Sequence, residues 1–240
     1  ATTYGRFHLI GHDHGAALGW TVAASERGRK LLASYTALSV PHIDAFSSGL
    51  FGPTADIAQQ VASQYFTMFV ENHSASSHFD FWYLTMGTSS RDEGFGDFFD
   101  SPSSFQKALW WYNGLFDTGL VAAPPRMSAS QIAAHGFEDL PIAALRAFWG
   151  GTPDHGSSQQ SAIGPVAIPT LFVCGTDDEA LLCTRAYARN TSFFCTSSYK
   201  YLAVKCGHSL LACDSAASTK AVTAAIVAHL ANSTTLQNCK

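Results

Sequence analysis

The chain has 240 residues, 47% of them apolar and only 13% charged, with a formal net charge of −4. That length supports one domain with a lid around a sizeable core. The weak negative charge gives no electrostatic case for nucleic acid or an anionic membrane, and no apolar run reaches the roughly 20 residues that cross a bilayer.

In chain order, Phe7–Ile10 reads as a short buried strand running into Gly11-His12-Asp13-His14-Gly15. Gly15–Ala24 has the small-residue texture of a helix, ended by the polar run "SERGRK" that contains Gly28. Leu31–Leu38 is again apolar and β-prone. From Pro41 to about Pro165 the texture changes to amphipathic stretches broken by Gly, Ser and Pro. Ile57–Phe69 and Phe105–Phe116 have helical spacing, and two further short helices are predicted in "SASQIAAHGFEDLPIAALRAFWGG". "VAIPTLFVCGTDDEA" gives a buried strand and an acidic turn, "YKYLAVKCGHS" a strand ending in a Gly-His turn, and Ser215–Leu230 a closing helix. Strands alternating with helices predict a parallel α/β sheet covered on both faces. The expected layout is a core at 1–40, a helical cap at 41–165, and the rest of the core at 166–240.

All six cysteines lie between Cys174 and Cys239 without a CxxC pair, a pattern closer to disulfides than to a zinc site. Three of the five asparagines, Asn72, Asn190 and Asn232, stand in N-x-S/T sequons. Together these point to a secreted or lumenal glycoprotein. His and Cys show no ligand spacing and no Gly-rich phosphate loop is present, so neither metal nor organic cofactor is expected.

Asp13 poses the chemical question. In a parallel sheet, reactive groups gather at the carboxyl ends of strands, and glycines two residues either side allow a sharp turn and a close helix. That is the nucleophile elbow, with aspartate where serine is usual. The bland alternative is a helix N-cap. An elbow nucleophile needs an acid and then a histidine, in that order. Asp178 and His208 each follow a later strand, with Asp177 and then Glu179 as second choices for the acid.

"GHDHGAALGW", "LSVPH", "IPTLFVCGTDD" and "CGHSLLACD" resemble the epoxide hydrolase branch of the α/β-hydrolases, close to the haloalkane dehalogenases. The resemblance runs along nearly the whole chain. It implies an α/β-hydrolase fold with a helical cap and an Asp13–Asp178–His208 triad. It also implies two cap tyrosines on the epoxide oxygen, Tyr65 in "SQYFTMF" and Tyr112 in "ALWWYNG", beside Trp111 in an apolar pocket. Asn113 replaces the arginine expected after Tyr112, and the distance to Asp178 implies a cap insertion around 118–162. His14, after the nucleophile, would supply one oxyanion N–H. It stands where a haloalkane dehalogenase wants tryptophan and a fluoroacetate-type dehalogenase wants arginine.

The implied activity is opening of a small apolar epoxide to a diol through a covalent Asp13 ester. The alternatives are a haloalkane dehalogenase and an inactive secreted binding or structural subunit. The family's upstream H-G-x-P loop and N-terminal strands have no counterpart here. A companion chain carrying those strands, an incomplete sequence and a degenerate homologue are the three expected explanations.

Overall fold

The computed structural model describes residues 5–51, 55–64 and 163–235. The chain divides into two compact units, one formed by 1–62 with 161–240 and the other by 63–160. The first contains a four-stranded sheet whose strands pair in parallel and follow one another in chain order. These strands are β1 (Phe7–His12), β2 (Leu32–Leu38), β3 (Thr170–Gly175) and β4 (Tyr199–Val204). The helices are α1 (His14–Ala24), α2 (Glu26–Leu31), α3 (Ile43–Leu50), α4 (Ile57–Ala62), α5 (Ala186–Arg189) and α6 (Ala216–Thr235), with a 3₁₀ turn at Asn190–Phe194.

The central strands behave as a doubly covered parallel sheet requires. Every residue of β2 and of β3 is buried, so neither strand alternates between a core face and a solvent face. Against β2 packs the small-residue face of α1, with Ala16, Ala17, Gly19, Trp20 and Ala23 buried. Trp20 meets Tyr35 edge-on at 4.9 Å, and its indole N–H donates to the Val40 carbonyl at 3.0 Å. The Tyr35 hydroxyl donates to Ala16 O at 2.6 Å, so both polar tips are satisfied inside the core. On the other side Leu38, Leu171, Val173, Val204, Leu210 and Val222 form one apolar cluster with Cys206.

The run "SERGRK" is not simply a helix stop. Ser25 ends α1 and starts α2, its Oγ accepting the Gly28 N–H at 2.9 Å. Gly28 is required by packing, because a Cβ there would lie 1.8 Å from the Val22 carbonyl oxygen.

Two cysteine pairs stand at disulfide distance, Cys174 with Cys183 and Cys206 with Cys213. Each closes a loop of under a dozen residues, and such a loop withdraws about 2.5 kcal/mol of unfolded-chain entropy. Among the described residues Cys195 is free, and Cys239 lies outside them. The turns within these two loops lie backbone against backbone: a Cβ on Gly175 would fall 2.1 Å from Cys206 O and 2.3 Å from Gly207 O. Thr176 N–H donates to Val204 O at 2.8 Å, and Asp177 N–H to Cys206 O at 3.0 Å, carrying the β3–β4 ladder past the strands.

Gly175→Ala must therefore push the two turns apart and should cost about 2 kcal/mol or more in urea unfolding. Gly207→Ala, whose Cβ meets nothing within 4 Å, should stay within about 0.5 kcal/mol of the parent. Equal losses in the two variants would contradict this account.

Candidate active site

All four strands are parallel, so their carboxyl ends share one edge of the sheet. Asp13 follows β1, Ser39 follows β2, Asp178 stands beyond β3 and His208 beyond β4. Asp13 has φ 52° and ψ −124°, a strained conformation for a residue with a Cβ. It stands at the N-cap position of α1, and its carbonyl takes the first helical N–H bonds, from Ala16 and Ala17 at 2.8 and 3.0 Å. Its side chain makes no cap bond. The carboxylate instead faces His208, with Oδ1 3.4 Å from Nε2. The turn is tight because Gly11 has no Cβ: one there would lie 2.4 Å from the Gly15 carbonyl oxygen. At Gly15 an added Cβ meets nothing within 4 Å, so the helix approach depends on the first glycine and not the second.

On its far side, the His208 Nδ1–H donates to Asp178 Oδ2 at 2.8 Å. The Asp178 side chain is almost fully buried, and its other oxygen accepts the N–H groups of Ala180 and Leu181 at 2.9 and 3.0 Å. The loop beyond it is latched by Gln59 of α4, whose amide donates to Ala180 O and accepts from Leu182 N–H, both at 2.8 Å. Asp177 points elsewhere, accepting from Thr176 Oγ at 3.0 Å, and Glu179 is exposed. Of the three adjacent acids, Asp178 alone is bonded to His208.

The electrostatics follow from this sandwich. Burial disfavours charge on His208, but hydrogen bonds and attraction from Asp13 and Asp178 outweigh it and lift its pKa to about 10. Burial likewise opposes the Asp13 carboxylate, yet the bond to His208, the charges of His14 and His208 and the backbone N–H of His14 bring it down to about 2. The His14 ring lies 3.8 Å from the Asp13 carboxylate. Burial lowers its pKa against the pull of Asp13.

Two contacts escaped sequence reasoning. His12 Nε2 donates to the His208 carbonyl at 3.0 Å, and the Ser39 hydroxyl donates to the same oxygen at 2.7 Å. His12 sits in the elbow motif and could have been noted there. The partner of Ser39 is 169 residues away, and nothing local signals it. Tyr65, Trp111 and Tyr112 lie outside the described residues. Among the described residues no group of three His, Cys, Asp or Glu side chains is placed to hold a metal ion, and no helix is long and apolar enough to cross a membrane.

A histidine whose pKa is higher folded than unfolded contributes its full stability below the unfolded value, and that contribution is lost as pH rises through the folded one. Unfolding free energy should thus decline between about pH 6.5 and 10. The depressed Asp13 works in the opposite direction, its contribution fading as pH falls from 3.8 toward 2. Urea unfolding of parent and His208→Gln across both windows checks this: the alkaline decline should flatten in the variant. A decline of equal size in both would assign it to other groups.

No protein family's sequence profile matches the chain, and no curated protein does. Solved structures do. One, from work on epoxide hydrolases of the α/β-hydrolase superfamily in hot-environment metagenomes, aligns with TM-score 0.61 at 20% identity, covering 94% of this chain and 68% of that one. An epoxide hydrolase from Bacillus megaterium aligns with TM-score 0.50 at 17% identity, covering 95% and 70%. A protein from Nostoc described as an α/β-hydrolase aligns with TM-score 0.55 at 11% identity, covering 92% and 66%. With its parallel sheet, strained elbow after β1 and later turns at the same sheet edge, this chain has the α/β-hydrolase fold, resembling the epoxide hydrolases among its members.

Proposed function

We propose that the chain is a hydrolase that opens small apolar epoxides to vicinal diols, with Asp13 as nucleophile and His208, oriented by Asp178, as base. The observation that carries the reading is the Asp13 side chain, which makes no helix-cap hydrogen bond although it stands at the N-cap position, and faces His208 instead. A capping aspartate would do the reverse.

In the first step an Asp13 oxygen attacks an epoxide carbon, the carbon–oxygen bond of the ring breaks, and an ester forms on Asp13. Tyr65 and Tyr112 hold the departing oxygen by hydrogen bonds and relay a proton to it. In the second step His208 takes a proton from water while the water oxygen adds to the ester carbonyl. The tetrahedral intermediate expels the diol oxygen, which takes up that proton; the acid left on Asp13 then passes its own proton to His208, restoring the carboxylate and the imidazolium. The His14 N–H serves the oxyanion.

The charge pattern supports this order of events. While Asp13 is ionised, two carboxylates keep His208 protonated, and an imidazolium cannot act as base. Esterification neutralises Asp13 and removes one of the two groups raising the pKa of His208. The imidazolium then gives up its proton, which balances the one the opened alkoxide needs, and the neutral imidazole is left as base.

Two further parts of the reading concern surroundings. The paired cysteines suit an oxidising, secretory or extracellular setting. Among the described residues β1 has a strand on one side only, and Phe7 and Ile10 are about half exposed. Further strands laid along β1, from this chain or a companion, would cover them.

His208→Gln should leave ester formation intact while slowing its hydrolysis about 100-fold or more. Intact mass spectrometry after incubation with styrene oxide should then show one adduct, mapped to Asp13 by peptide sequencing, and Asp13→Asn should show none. Absence of an adduct in every variant would remove the proposed chemistry. An adduct on another residue would move the nucleophile.

A further inference from the structure

Apart from glycine, two of the described residues have positive φ, Asp13 at 52° and Ser39 at 70°. Both are bonded to His208, Asp13 through the imidazole and Ser39 through the main-chain carbonyl. Ser39 is the centre of a three-residue turn in which the Val40 N–H donates to Leu38 O at 3.0 Å. With positive φ at the middle residue this is the rarer, strained form of the γ-turn. Strain of this kind persists only where its surroundings enforce it, and it gathers at functional sites.

Glycine would fit this turn without strain, so the hydroxyl needs its own explanation. Ser39 is fully buried, its N–H donates to Val173 O at 2.9 Å, and its Oγ–H donates to the His208 carbonyl at 2.7 Å. That oxygen also accepts from His12 Nε2 at 3.0 Å and from Leu210 N–H at 3.1 Å, so the Ser39 bond is the shortest of three. His208 lies in a turn belonging to no helix or strand, and its ring must reach two carboxylates at once. The far end of β2, by contrast, is part of a fully buried strand paired on both edges.

We infer that Ser39 is a positioning residue for His208: its hydroxyl pins the histidine's carbonyl to the end of β2 and so fixes the imidazole between Asp13 and Asp178. This rests on the proposed role of His208 as base. The strained backbone at Ser39 is what aims the hydroxyl across the sheet edge.

Ser39→Gly separates the two roles of the residue, because glycine adopts the turn freely and lacks the hydroxyl. In single turnovers of the full chain with styrene oxide, we expect ester formation within about two-fold of the parent. Hydrolysis should slow about ten-fold, so that ester accumulates, with the thermal midpoint no lower than the parent's. Ser39→Asn, which tolerates the same φ and offers an amide donor, should recover part of the hydrolysis rate. Unchanged hydrolysis in a folded Ser39→Gly protein would overturn the inference, as would equal slowing of both steps. If no ester forms even in His208→Gln, the functional reading fails and the His208 imidazole titration by NMR decides the inference alone. Ser39→Gly should then shift that titration toward the ordinary value, from near 10 in the parent, and an unmoved titration would refute positioning.

Discussion

The rest of the site depends on one imidazole held between two carboxylates. His208 reaches Asp178 at 2.8 Å and Asp13 at 3.4 Å, and neither contact survives a small displacement of the turn that carries it. The two acids are not equivalent. Asp178 is shut away with both oxygens hydrogen-bonded, a fixed charge that orients the ring. Asp13 is about two-fifths exposed and strained at its backbone, and its carboxylate is open to solvent as that of Asp178 is not. The same ion triad is self-consistent, since a protonated histidine beside two ionised carboxylates is the stable arrangement.

The fold supplies this geometry by simple means. Parallel strands bring four chain segments to one edge, and each contributes one residue there: an acid, a hydroxyl, a second acid and the histidine. The fully buried strands β2 and β3 give that edge a rigid floor. Covalent closure of the loops around Asp178 and His208 limits how far either turn wanders before the chain folds. Gln59, from a helix near the first part of the chain, fastens the acid loop from outside.

Much of this was legible in the sequence, for reasons that can be named. Strands buried on both faces announce themselves as apolar runs, and an aspartate two residues from Gly11 and Gly15 signals an elbow. Asp178 could be placed first among three adjacent acids, although its bonds had to be seen to separate it from Asp177. Where the reading went astray, the cause was distance or crowding. Gly28 looked like a helix stop, but it is there because the Val22 carbonyl leaves no room for a Cβ. The pattern assigns the turn and the close helix approach to Gly11 and Gly15 together, yet the close approach is made at Gly11. Cysteine pairing was one choice among 15 for six residues. The bond from Ser39 spans most of the chain.

The contact at Gly175 has a consequence for how such a sequence can change over time. The acid turn and the histidine turn touch through main-chain atoms, so neither can lengthen, rotate or acquire bulk without displacing the other. Substitutions in the two turns will not be independent, and the effect of one will depend on which residues already occupy the other. The elbow at Asp13 is not tied to either turn in this way. The acid and histidine turns form one inherited unit, in which an acceptable route from one sequence to another passes through paired changes.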